Sequence, residues 1–219
     1  MSMRSPLAQY ITVTLSYWAF TLTDGALRML VLLFFHNLGY SPIEIASLFL
    51  LYEFFGVVTN LYGGWLGSRF GLTLTMQLGL GLQIFALALL LADPSVLTVV
   101  YVMIAQAISG IAKDLNKMSA KSGVKALVSH RSDDGGLLFR WVAWLTGSKN
   151  ALKGLGFFLG GALLQWAGFQ TAIAILMGLI AVALIGAGLG LTADIGKANT
   201  KPKFKDLWSR STKVNQLSL

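Results

Sequence analysis

The twenty-one residues from Thr171 to Leu191, TAIAILMGLIAVALIGAGLGL, contain no charged side chain. At ~1.5 Å per helical residue such a run reaches across the ~30 Å hydrocarbon core of a bilayer. Comparable runs recur along the chain and limit what it can become. In lipid every backbone N–H and C=O must be paired internally, so the spans have to be helices. Composition fits that limit: 12% of the residues are charged and mean hydropathy is +0.69, whereas a soluble domain carries roughly twice that charge.

Hydropathy and turn residues together predict an all-α membrane protein with six transmembrane helices, over about 10–35, 43–66, 75–92, 96–120, 137–167 and 171–191. Asp93-Pro94 breaks the chain between the third and fourth, and Gly168-Phe169 leaves barely a turn between the last two. Residues 1–195 form the membrane unit, followed by a basic connector over 196–219. The first apolar segment is too long for a cleavable signal peptide and lacks a small-residue cleavage site.

The basic residues assign the sides. Arg4, Arg69, Lys121, Lys125, Arg131, Arg140 and the tail cations fall on one set of connections, while those around 36–42, 93–95 and 167–170 carry none. Positive charge stays inside, so the reading is a multi-pass inner (plasma) membrane protein with both termini cytoplasmic. The formal charge of +8 then belongs to the cytoplasmic face and to anionic lipid headgroups, not to nucleic acid. Phe204, Leu207 and Trp208 among the tail cations suit a segment lying on the leaflet, and a solvated loop suits them equally.

Several chemistries are excluded. Without cysteine there is no disulfide or thiolate metal site, and His36 and His130 are isolated, so neither metal nor cofactor is expected. No nucleophile–base pair or phosphate loop marks an enzyme.

Charges inside spans are costly and usually face a bundle interior or a water-filled cavity. Here Asp24 and Arg28 lie in the first span, Glu53 in the second, Lys113, Asp114 and Lys117 in the fourth, and Lys149 and Lys153 in the fifth. The third and sixth spans have none. Two charged spans and a clean one, repeated once, is the pattern of a 3+3 internal repeat. Counted at ~1.5 Å per residue from the outer ends, Asp24, Glu53 and Lys153 fall near the mid-plane.

Asp24–Arg28 and Lys149–Lys153 are each spaced i,i+4, on one helix face. The first reads equally as a pair that lowers its own burial cost. The second is two cations with no acid within a turn, a place for an anion. Glu53, the lone charge of its span, is with Asp24 a candidate for proton coupling. Lys113, Lys117, Lys121 and Lys125 form a ladder in which the last two reach the headgroups. The first two meet an anion arriving from the cytoplasm. Candidate substrate-binding residues are therefore Arg28, Lys113, Lys117, Lys149, Lys153 and the neighbouring Asn150. Their surplus of cations favours phosphate or carboxylate oxygens. Gly156–Gly160 reads as a helix-packing face.

Three segments resemble motifs of the major facilitator superfamily. Gly63 to Thr75, GGWLGSRFGLTLT, matches its loop signature at Gly64, Arg69 and Gly71, with Ser68 in place of the acid and Leu72 and Thr73 in place of basic residues. Gln106 to Gly110 is similar to its Arg-x-x-x-Gly motif, with Gln106 in the arginine position. Gly156 to Gly161, GFFLGG, resembles the antiporter motif with Phe157 in place of proline. Longer stretches, Phe20 to Leu32, Leu51 to Gly67, Ser109 to Ser122 and Leu145 to Leu164, are similar to ArsJ-type organoarsenical efflux permeases.

That resemblance implies a twelve-helix fold of which this chain is the N-terminal half, the C-terminal six-helix half being the missing partner. It also implies alternating-access efflux of 1-arseno-3-phosphoglycerate, conferring arsenate resistance. The alternatives are a proton-coupled drug or metabolite exporter of the superfamily, and a non-transporting half subunit.

Overall fold

In the computed structural model the described residues are 5–129 and 135–192. Arg4, Arg131 and the expected connector over 196–219 lie outside them. Among the described residues there are seven α-helices: α1 Pro6–Asn37, α2 Pro42–Ser47, α3 Leu50–Phe70, α4 Leu72–Leu90, α5 Val99–Ser129, α6 Gly135–Ala167 and α7 Phe169–Gly190.

Local chemistry explains the boundaries. Pro6 opens α1 behind Ser5, whose side chain accepts from Ala8 N at 3.2 Å. Ser41 and Glu44 form a capping box at the start of α2. The two tightest breaks use glycine at positive φ: Gly71 (φ 91°) is the single residue between α3 and α4, and Gly168 (φ 77°) that between α6 and α7. The segment expected as one span over 43–66 is divided at Leu48–Phe49, where both residues stay in the right-handed region. No glycine or proline marks that division. The fourth span, expected from Val96, begins as a helix at Val99, because Pro94–Val96 closes a separate 3-10 turn capped by Asp93.

Among the described residues four stretches are long and apolar enough to cross a membrane: Pro6–Asn37, Pro42–Gly63, Leu72–Leu90 and Phe169–Gly190. The helices α5 and α6 have the length, at 31 and 33 residues, but carry five of the interior charges, Lys113, Asp114, Lys117, Lys149 and Lys153. Large apolar side chains such as Leu155, Phe158, Trp166, Val182 and Leu189 point outward, as in a protein whose solvent is lipid.

Packing follows a regular scheme. α1 lies against α6 and α7, α5 against α3 and α4, and α4 against α7. Exchanging α1, α3 and α4 with α5, α6 and α7 reproduces it: α1/α6 corresponds to α5/α3, α1/α7 to α5/α4, and α4/α7 to itself. The closest crossings are built on glycine. A Cβ on Gly25 of α1 would stand 2.7 Å from the Lys153 carbonyl oxygen, and one on Gly156 of α6 2.5 Å from that of Leu22. At the corresponding crossing a Cβ on Gly110 of α5 would overlap the Tyr52 backbone of α3, and one on Gly56 would stand 2.7 Å from Asp114 Oδ2. Any side chain there holds the helices apart. Gly160 likewise abuts Ala26 of α1, so the Gly156–Gly160 face packs helices.

The crossings also index the charges. Arg28 and Lys113 each follow their crossing glycine, Gly25 or Gly110, by three residues. Glu53 and Lys153 each precede theirs, Gly56 or Gly156, by three. In the corresponding places the first set of helices therefore carries Arg28 and Glu53, and the second Lys113 and Lys153.

Candidate substrate site

Between these crossings lies a cavity of about 170 Å³. α1 lines it with Tyr17, Phe20, Thr21, Asp24 and Arg28, α3 with Glu53, α5 with Lys113 and Lys117, and α6 with Lys149 and Lys153. At roughly 30 Å³ per water, it holds a small anion or a handful of waters.

The acids are distributed unequally. Glu53 accepts from Arg28 Nη2 at 2.6 Å and from Lys113 Nζ at 3.4 Å, joining α1, α3 and α5. Asp24 takes the phenol of Tyr52 as its donor, and its other oxygen stands 4.0 Å from Arg28 Nε. The intrahelical Asp24–Arg28 pair read from the spacing is thus the weaker contact. The guanidinium reaches across to α3, where Glu53 accepts from its Nη2. Nor is Glu53 the solitary charge that its span suggested, since both its oxygens meet cations. Asp114, buried on α5, lies 3.1 Å from Lys117 Nζ and 3.8 Å from Lys113 Nζ.

Three cations, Arg28, Lys113 and Lys117, therefore answer three acids, Asp24, Glu53 and Asp114. Lys149 and Lys153 stand apart: among the described residues neither forms an ion pair. Lys153 Nζ has the ring of Phe157 at 5.9 Å, a weak partner beside a carboxylate. The net positive charge of the cavity is the α6 pair.

Seven of the eight candidate residues come together here: Asp24, Arg28, Glu53, Lys113, Lys117, Lys149 and Lys153. Asn150 does not line the cavity and is exposed. It follows Lys149 by one residue, and one helical step of ~100° carries it off the cavity face. Along the ladder, Lys113 and Lys117 reach the cavity, while Lys121 is half-buried and Lys125 exposed. Arg69, in the segment resembling the loop signature, lies over the Trp65 ring at 5.1 Å.

Two residues escape a reading of charges alone. Tyr52 is fully buried, donates to Asp24, and has Arg28 and Lys113 over its ring at 4.1 and 4.2 Å. A tyrosine in an apolar span carries no sequence signal for this, since Tyr52 and Glu53 are adjacent and project in different directions. Gln106, placed on α5 by its likeness to a motif, is fully buried, and both its side-chain polar atoms lack a partner among the described residues. One turn on, Ser109 donates to Gln83 of α4 at 2.8 Å.

Comparison with known proteins adds the family. Similar solved structures include tetrameric PepTSo2, with 17% identity and a TM-score of 0.73 over 98% of this chain and 47% of that one. A bacterial homologue of the human drug peptide transporters PepT1 and PepT2 has 18% identity and a TM-score of 0.70 over 98% and 49%. A peptide transporter POT bound to alafosfalin has 14% identity and a TM-score of 0.72 over 95% and 44%. At such identities the likeness is one of fold, and the chain spans about half the length of the structures it matches. No curated protein matches it. The family model described as Major Facilitator Superfamily matches residues 11–216, nearly the whole chain, and the chain belongs to the major facilitator superfamily.

Proposed function

We propose that this chain is one half of a secondary transporter that binds an organic oxyanion on Lys149 and Lys153 and moves it outward by alternating access. The observation that carries this reading is the α6 lysine pair, two unanswered cations facing a cavity whose other charges are already paired. Cations so placed are costly without an anion, and a phosphate or carboxylate group gives each a charge-assisted hydrogen bond. The exchange-symmetric packing supports a 3+3 arrangement of six spans, α2 and α3 together forming the second. The distribution of basic connections supports an inner-membrane orientation with both termini cytoplasmic. In this fold substrates sit between two halves, so the working transporter includes the C-terminal six-helix half. The resemblance to ArsJ-type permeases supplies the substrate, 1-arseno-3-phosphoglycerate, and arsenate resistance as the outcome of its efflux.

Proteoliposomes containing this chain joined to its completing half test the reading. They take up the arsenic ester into inside-out vesicles, and Lys149→Ala with Lys153→Ala abolishes the uptake. Uptake that survives both substitutions, or that prefers cationic dyes, rejects the anion site. A second reading, a proton-coupled drug or metabolite exporter, is favoured by the two carboxylates of the cavity, Asp24 and Glu53. It gives proton flux driven by dyes and not by the ester.

A further inference from the structure

Of the three acids in the cluster, Glu53 is placed differently. The Asp24 and Asp114 side chains are 7% and 6% exposed, against 59% for Glu53. An exposed carboxylate forms pairs that exchange at small cost, because little desolvation holds them in place. Its two arms are also unequal, at 2.6 Å to Arg28 and 3.4 Å to Lys113. Lys113 keeps Asp114 within 3.8 Å whether or not Glu53 stays, so releasing the long arm does not strand a cation.

The glycine crossings add an independent observation. Glu53 and Lys153 hold the same offset from Gly56 and Gly156, and Arg28 and Lys113 the same offset from Gly25 and Gly110. Arg28 thus has a carboxylate in its own set of helices, whereas Lys113 has a lysine in the corresponding place and borrows Glu53 from the other set.

Resting on the anion-site reading above, we propose that Glu53 is a resident counter-ion standing in for the substrate. Its carboxylate holds Arg28 and Lys113 together until an oxyanion reaches Lys149 and Lys153, and it then gives up Lys113 to that oxyanion. A fixed structural staple would be buried on the pattern of Asp24 and Asp114. An exposed carboxylate bridging cations of two different helices is instead built for exchange, and it makes Glu53 a determinant of how tightly the anion binds.

The chain joined to its completing half in nanodiscs, titrated with inorganic phosphate, tests this on the wild type and on Glu53→Gln. The chain has two glutamates, Glu44 and Glu53, and Glu44 is exposed in the α2 capping box. With glutamate carboxyl carbons labelled by carbon-13, the infrared difference bands on adding phosphate that Glu53→Gln removes report on Glu53. The expected result is a shifted Glu53 carboxylate band and an affinity for phosphate raised about tenfold in Glu53→Gln. Glu53→Asp, shorter by one methylene, raises affinity in the same direction and serves where Glu53→Gln does not fold. An unmoved band in a wild-type chain that binds phosphate overturns the proposal and leaves the anion site standing, as does unchanged or weakened binding in the variants. A wild-type joined protein that binds no phosphate overturns the anion site itself, and this inference with it.

Discussion

The two walls of the cavity solve the problem of interior charge in opposite ways. On the side built from α1, α3 and α5, every cation has an acid: Arg28 with Glu53, Lys113 with Glu53 and Asp114, Lys117 with Asp114. On α6, Lys149 and Lys153 have none among the described residues. Helices that correspond in packing thus differ in charge, Glu53 on α3 facing its counterpart Lys153 on α6. A pairing that closes on itself contributes to assembly, while one left open contributes to binding. On the reading proposed above, the difference makes α6 the wall that recognises something from outside.

The largest effect that would break this contrast is charge reversal on the open wall. Lys153→Glu gives α6 its own acid, and phosphate binding by the chain joined to its completing half falls about a hundredfold or more, measured by calorimetry. Binding that survives the reversal would mean that the walls do not differ in role. Next comes the frame that holds them. Gly110→Val forces a side chain into the Tyr52 backbone and costs about 1–3 kcal/mol, seen as a lowered thermal midpoint in tryptophan fluorescence. Tyr52→Phe removes the donor to buried Asp24 and costs about 1–2 kcal/mol on the closed wall, with phosphate affinity on the open wall little changed.

The smallest effect lies outside the cavity. Hydrogen bonds from the Ser95 hydroxyl and backbone hold the Asp93 carboxyl below the usual aspartate range. A lowered folded value means the contribution is present above the unfolded value and lost as pH falls through the lowered one. Acid titration therefore frays the 94–96 turn, read by hydrogen exchange at Ser95.

Much of the site was legible because interior charge in an apolar chain is rare enough to mark itself. Asp24, Arg28, Glu53 and the four lysines were all singled out by residue type and depth. Their partners were not. Arg28 has Asp24 one turn away, and only the approach of α3 brings Glu53 to the guanidinium. That choice depends on helix crossing, which no spacing along one helix encodes. The division at Leu48–Phe49 was equally hidden, since it uses ordinary helical dihedrals and no breaking residue. Gly156–Gly160 was readable as a packing face, but its partner α1 and the mirrored use of Gly110 were not.

The glycines at the crossings have a consequence for how the calibre of the cavity is set. Because α1 meets α6 main chain to main chain at Gly25 and Gly156, the gap between the opposing walls is fixed by residues that touch no ligand. A single methyl at Gly156 acts as a shim, moving the whole α6 face and both its ammonium groups outward together. The width of the gap, and with it the size of anion that can span it, is therefore adjustable in small steps without altering any charge.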